Sequence, residues 1–211
     1  MVDLERACID AVWALSASGA GVSVMADDGV HGMAAASDAH TARVEELQFT
    51  YGEGPCIDAF TGGSPVLVSD LADGAAGRWP VYTPAARAEG ISAVFAFPLQ
   101  IGAARLGVLD VLRTRPGPLS RADLGRALTI ADRVVTLLLD GQERGDGAAT
   151  LDIGARAGIY QAQGMVSVQL GVPLADAMAR IRARAYAENR PLSEVAADIV
   201  ARRLRFDTGP S

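Results

Sequence analysis

The sequence contains no lysine; all 19 of its basic side chains are arginine. With so many alanines and glycines, that absence points to a GC-rich coding genome rather than to a mechanism. Cysteine is nearly as scarce. Cys8 and Cys56 are the only two, with no CxxC spacing, which excludes a disulfide framework. Two histidines, His31 and His40, are too few to build a metal site with those cysteines, so no metal and no cofactor are expected. Aromatic residues make up 5% of the chain, few enough that the core needs them. No apolar run approaches the ~20 residues of a membrane helix. Asp3 and Glu5 stand where a secretory signal carries positive charge. The expectation is a cytoplasmic protein with no membrane partner.

Half of the 211 residues are apolar, enough to bury one large core or two small ones. The net charge of −6 is unevenly spread. Residues 1–150 hold 11 arginines against 19 acids, whereas residues 151–211 hold 8 arginines against 6 acids. An acidic body with a mildly basic end is the pattern expected when only the end meets nucleic acid.

That end carries the clearest periodicity. Leu192, Val195, Ala196, Ile199 and Val200 recur at helical spacing behind Pro191. Leu174, Ala177, Met178, Ile181 and Ala185 do the same behind Pro173, and a first helix over about 151–170 breaks at Gly171. Three helices this short predict a bundle in which each buries the stripe of its neighbours. Arg180, Arg182 and Arg184 lie off the middle stripe, with Asn189 and Arg190 at the following break. They read either as a solvated helix surface or as a phosphate-contacting patch.

Residues 1–115 read as helix, hairpin, short helices and further strands, an α+β domain on an antiparallel sheet. Leu4, Ala7, Cys8, Ala11 and Leu15 form a helical stripe. Residues 21–26 and 32–36 predict a hairpin around Asp27-Asp28-Gly29. Asp38 is placed to cap a helix over 39–49. The glycines and proline of residues 51–59 force an irregular turn before a short helix, 66–68 is a short strand, and 72–78 is expected to be a flexible loop. Residues 91–99 and 104–113 are strand-like. Cys56 is either a reactive thiol at a helix start or a structural cysteine in a tight turn. Glu53 and Asp58 have the look of an acid–base pair, although capping accounts for them as well. From Ser120, Leu124, Leu128, Ala131, Val135 and Leu138 follow a heptad seam, fit either for the helix's own sheet or for a partner chain. The boundaries expected are 1–141, a glycine-rich linker over 142–150, and 151–211.

The runs QAQG (161–164), AMARIRARA (177–185) and NRPLSEVA (189–196) resemble the ANTAR family of RNA-binding antiterminator domains, over about the last quarter of the chain. The family's small residues fall on Ala162 and Gly164, its Leu-Arg pair on Ile181 and Arg182, its Asn-Arg turn on Asn189 and Arg190, and its Val-Ala on Val195 and Ala196. One departure is Gln163, where the family commonly has lysine. The resemblance implies RNA contacts from Arg182 and Arg190, then from Gln163, Arg180 and Asn189. Ala162 and Gly164 would act by being small, and Arg182 has the alternative role of holding the bundle together. The stretches GEGPC (52–56), Asp70-Leu71, RWP (78–80), FPL (97–99) and LGVLDV (106–111) resemble a GAF domain of the kind fused upstream of ANTAR domains, over about residues 1–140. That implies a sensory module that often dimerises. It also implies an unknown small-molecule ligand on one face of the sheet, with Cys56, Trp79, Tyr82, Phe95 and Phe97 as candidate lining residues, unless these aromatics are simply core.

Together the two resemblances imply a non-enzymatic, homodimeric regulator. Its GAF-like half senses a ligand or partner, and its ANTAR-like bundle binds hairpins in nascent transcripts to cause transcription antitermination. Two other readings remain: an interaction module that has lost RNA binding, and a redox enzyme dependent on Cys56.

Overall fold

A computed structural model describes residues 2–25, 31–143, 153–188 and 190–206, in two compact units, 1–151 and 152–211. The first unit is built on five antiparallel strands: β1 (Gly19–Met25), β2 (His31–Ala36), β3 (Val66–Val68), β4 (Ala93–Ile101) and β5 (Ala104–Arg113). Their spatial order is β2-β1-β5-β4-β3. The expected hairpin turn at 27–29 lies outside the described residues.

Strand alternation gives the sheet two different faces. Phe95, Phe97 and Leu99 of β4 and Leu109 and Val111 of β5 face one way. They pack beneath α1 (Val2–Leu15) and α6 (Arg121–Glu143), in a core that also takes Cys8. Val94 and Ala96 of β4 and Val108 and Leu112 of β5 face the other way. That face is covered by α2 (Ala39–Tyr51), α3 (Pro55–Gly62), α4 (Ala75–Arg78) and α5 (Tyr82–Ala88).

Local chemistry sets the helix ends. Asp38 caps α2 by accepting from the Thr41 amide at 2.9 Å. Gly52 ends α2 in the left-handed region at φ +69°. Ser120 accepts from the Asp123 amide at 3.0 Å and donates back to the Asp123 carboxylate at 2.8 Å, which fixes the start of α6.

One sequence expectation needs correction here. Residues 72–78 are not all loop, because α4 forms once Gly74, at φ +73°, turns the chain and buries Ala75. Of the two uses read for the heptad seam of α6, packing on its own sheet takes most of it. Ala131, Val135 and Leu138 are buried in their own core along with Ala127 and Val134, and only Leu128 is substantially exposed. α6 also continues to Glu143, past the expected domain edge at 141.

The second unit is three helices, α7 (Ile153–Leu170), α8 (Leu174–Glu188) and α9 (Leu192–Val200). Gly171 breaks α7 at φ +64°, where a side chain would be strained. Ala162 and Val166 of α7, Ala177 and Ile181 of α8, and Val195 and Ala196 of α9 are buried, so the stripes read from the sequence form the core of the bundle.

Candidate nucleic-acid interface and sensor core

In the helical unit, several of the expected RNA-contacting residues are engaged with other residues of the bundle. Gln163 is only 9% exposed, and its amide nitrogen donates to the Leu174 carbonyl at 2.9 Å, joining α7 to the start of α8. Arg182 is half-buried; burial lowers its pKa, and Tyr160 of α7 acts on it in the opposite sense. Arg190 is encircled by carboxylates: Asp198 at 2.7 Å, Glu188 at 3.1 Å and Glu194 at 3.6 Å. The hydrogen bonds it donates to Asp198 and then to Glu188 raise its pKa further. Hydrogen bonds from the two arginines that each acid meets hold Glu188 and Asp198 below the usual carboxylate range. This net ties the end of α8 to α9. Asn189 lies outside the described residues.

Other residues of this unit are open. Arg180 is exposed and makes no ion pair among the described residues. Gly164 lines a groove of about 410 Å³ with Met165, Val168, Gln169 and Ile199 on one side and Arg202, Leu204 and Arg205 on the other. A side chain at Gly164 would meet nothing within 4 Å, so its smallness keeps the groove open rather than serving the bundle's own packing. The groove is shaped by a reversal just after α9. Arg202 takes φ +58°, and the amides of Arg203 and Leu204 both return to the Asp198 carbonyl. The chain then folds back, and Gln169 donates to the Phe206 carbonyl. Val168 on the groove wall is 86% exposed. Arg202 and Arg205 make no ion pair among the described residues. The sequence reading missed them, although the run RRLR at 202–205 is the densest basic stretch in the chain.

In the first unit the structure separates the residues expected to line one ligand site. Cys56, Trp79 and Tyr82 lie on the helical side of the sheet, whereas Phe95 and Phe97 lie on the opposite face under α1 and α6. Two-residue alternation along β4 makes this unavoidable. Phe95 and Phe97 share a face, and that face is the one the N-terminal helix covers.

What gathers on the helical side is a buried polar cluster. Glu45 and Gln48 come from α2, Cys56 from α3, Tyr82 from α5 and Asp110 from β5. Asp110 is fully buried, Cys56 is 3% exposed and Glu45 is 4% exposed. Gln48 is the organiser. Its amide nitrogen donates to Asp110 at 3.2 Å, and its oxygen accepts from the Cys56 amide at 2.8 Å. Two glycines make room. A Cβ on Gly54 would sit 2.4 Å from the Gln48 oxygen, and one on Gly21, opposite Asp110 in the sheet, 2.9 Å from Cγ of Glu45. The Cys56 sulfur also lies 3.9 Å from that of Met25.

Burial raises the proton affinity of every acid in the cluster. Burial, with the Asp110 carboxyl next, raises the pKa of Glu45 well above its usual value, and burial raises Asp110 too. Burial followed by the Asp110 and Glu45 charges raises the Cys56 thiol. Burial pushes Cys8, on the far side of the sheet, up to about 12. Neither thiol is tuned as a nucleophile, and no disulfide partner faces Cys56. Glu53 and Asp58 are structural in this arrangement. Glu53 accepts from the Val81 and Tyr82 amides at 2.6 and 2.8 Å at the start of α5. Asp58 accepts from Arg78 at 2.7 Å and from the Trp79 indole at 3.1 Å.

Among the described residues no helix is long and apolar enough to cross a membrane. No curated protein matches the chain. Solved structures match the first unit. They include a GAF domain from a phosphoenolpyruvate-protein phosphotransferase of Coxiella burnetii, 18% identical, with a TM-score of 0.55, over 68% of this chain and 84% of that one. GAF3 of Slr1393 from Synechocystis is 16% identical, with a TM-score of 0.55, over 69% of this chain and 97% of that one. A domain of a two-component sensor histidine kinase protein from Sinorhizobium meliloti is 20% identical, with a TM-score of 0.52, over 69% of this chain and 93% of that one. At such identities the likeness shows the fold. Family comparison assigns residues 1–139 to the GAF domain and residues 151–200 to the ANTAR domain. The chain therefore belongs to the GAF domain family, with an ANTAR domain following its sensory unit.

Proposed function

We propose that the protein is a cytoplasmic, homodimeric, signal-responsive regulator without catalytic activity. Its GAF domain senses a small molecule or partner. Its ANTAR domain binds hairpins in nascent transcripts and causes transcription antitermination. The observation that carries this reading is the ANTAR match on the one unit whose arginines outnumber its acids. The groove of that unit supports it. An apolar floor beside Gly164, flanked by Arg202 and Arg205 and with Arg180 exposed on α8, suits unstacked loop bases and their phosphates. In this reading Arg182, Arg190 and Gln163 hold the bundle that presents those groups. Self-association is supported by exposed apolar side chains on α1 and α6: Trp13 is 82% exposed, Leu128 45% and Ile9 36%.

The test is fluorescence anisotropy of a labelled RNA with two adjacent hexaloop hairpins, titrated with the full chain at several salt concentrations. Affinity should fall linearly with salt on logarithmic axes. Arg180→Ala, Arg202→Ala and Arg205→Ala should each reduce that slope by about 1. No binding at low salt, or a slope indifferent to all three substitutions, rejects the RNA reading.

A further inference from the structure

The buried cluster of the sensory unit has a composition that packing alone does not require. One sulfur and two carboxyl groups from three separate elements converge, with the ligating atoms of Glu45, Cys56 and Asp110 all within 4.8 Å of one another. Apart from each other and the Cys56 thiol, neither oxygen of Glu45 nor Oδ1 of Asp110 has a hydrogen-bond partner among the described residues. Two buried acids that face chiefly each other and a thiol are costly to ionise unless something positive occupies the space between them. A second observation is independent of the acids. Tyr82 is fully buried, its hydroxyl has no hydrogen-bond partner among the described residues, and its electrostatic neighbours are Glu45, Asp110 and Cys56. A phenol oxygen left unpaired at the edge of the cluster marks it as a place for a ligand rather than a closed hydrogen-bond network.

We infer that Glu45, Cys56 and Asp110 form a binding site for a single divalent transition cation of the zinc class. The donor set selects the class. A thiolate beside carboxylates disfavours magnesium and calcium, which take oxygen alone, and suits a borderline cation such as zinc. Three protein ligands leave one position of a tetrahedral site for a further group, and the Met25 sulfur lies 3.9 Å from that of Cys56. The residues that shape the niche then have a purpose beyond packing. Gln48 orients Asp110 and the Cys56 backbone from behind the ligands, the arrangement by which outer groups fix ligand geometry. Gly21 leaves the space that the Glu45 side chain fills above the sheet. Sequence spacing gave no hint of the site, because its three ligands come from α2, α3 and β5 and no two share a motif. The inference stands apart from RNA binding and is tested without it.

The probe is cobalt(II), added to the full chain after treatment with chelator and dialysis. The expected result is one cobalt per chain, with a thiolate-to-cobalt charge-transfer band in the near ultraviolet that zinc abolishes on competition. The band should vanish in Cys56→Ser, weaken in Asp110→Asn and persist in Cys8→Ser. Far-ultraviolet circular dichroism reports whether each variant is folded. If Cys56→Ser does not fold, Asp110→Asn and the parent chain decide the matter. Zinc in place of chelator should also raise the parent's thermal midpoint by several degrees, a shift that Asp110→Asn loses. Absence of the charge-transfer band in the parent, a band unchanged by Cys56→Ser or by Asp110→Asn, or a midpoint indifferent to zinc overturns the site.

Discussion

The two units of this chain solve the problem of charge in opposite ways. The sensory unit buries it: Glu45 and Asp110 sit in the core beside Cys56 and Tyr82, with Gln48 as the main polar support. Among the described residues the helical unit buries Gln163, half-buries Arg182, and settles other charges at the rim, where Arg190 meets three acids. A buried acid pair is destabilising unless occupied, which is the usual condition of a binding site. A rim network costs little and contributes little, which suits a scaffold that presents other side chains outward.

The comparison is broken most severely by removing apolar volume from the helical unit. Ile181 is fully buried, and Ile181→Ala should cost about 2–5 kcal/mol. Calorimetry of the full chain should show that loss in the transition of the helical unit, with the sensory unit's transition retained. Next in size is Gln48→Ala, which strands both the Cys56 amide and the Asp110 carboxyl and should destabilise the sensory unit by about 2–3 kcal/mol. Urea denaturation followed by Trp79 fluorescence reads it.

Asp110→Asn sharpens the contrast because its sign is reversed. In chelator-treated protein at neutral pH, removing one of two buried acids should stabilise the sensory unit by about 1–2 kcal/mol, since the amide can donate to Glu45. Destabilisation instead would mean that the acid pair is already compensated.

The smallest effect belongs to the rim. Asp198 and Glu188 have pKa values below their ordinary ones, so their stabilising contribution is present above pH 4 or so and is lost as pH falls through the lowered values. Asp198→Asn should therefore lower the thermal midpoint slightly at pH 7, and the difference from the parent should close below about pH 4. A gap that survives at low pH would assign Asp198 a role other than pairing Arg190 and Arg203.

Much of the fold was legible because period and punctuation agree. The stripes of α8 and α9 behind Pro173 and Pro191, the cap at Asp38, the break at Gly171 and the alternation of β5 are local signals, and the structure follows them. The candidate sites were less legible. Phe95 and Phe97 were grouped with Trp79 because aromatic residues suggest a pocket, yet the face that a strand residue occupies depends on which helices cover the sheet. Arg190 and Gln163 were read as RNA-facing groups, and Arg182 as either that or a tie within the bundle, but a polar side chain on a helix points outward only if no neighbour offers it a partner. Asp198, the Tyr160 side and the Leu174 carbonyl are such neighbours.

By itself the sequence determined the two-part order of the chain, the antiparallel α+β unit, the three-helix bundle and the basic bias of the final residues. These follow from local spacing, turn chemistry and charge, which act over a few residues. Only the tertiary structure decided which arginines are neutralised and which are open, and that Glu45, Cys56, Tyr82 and Asp110 meet in one buried place. The reason is physical: desolvation and pairing depend on groups far apart in the chain, and folding alone brings them within reach.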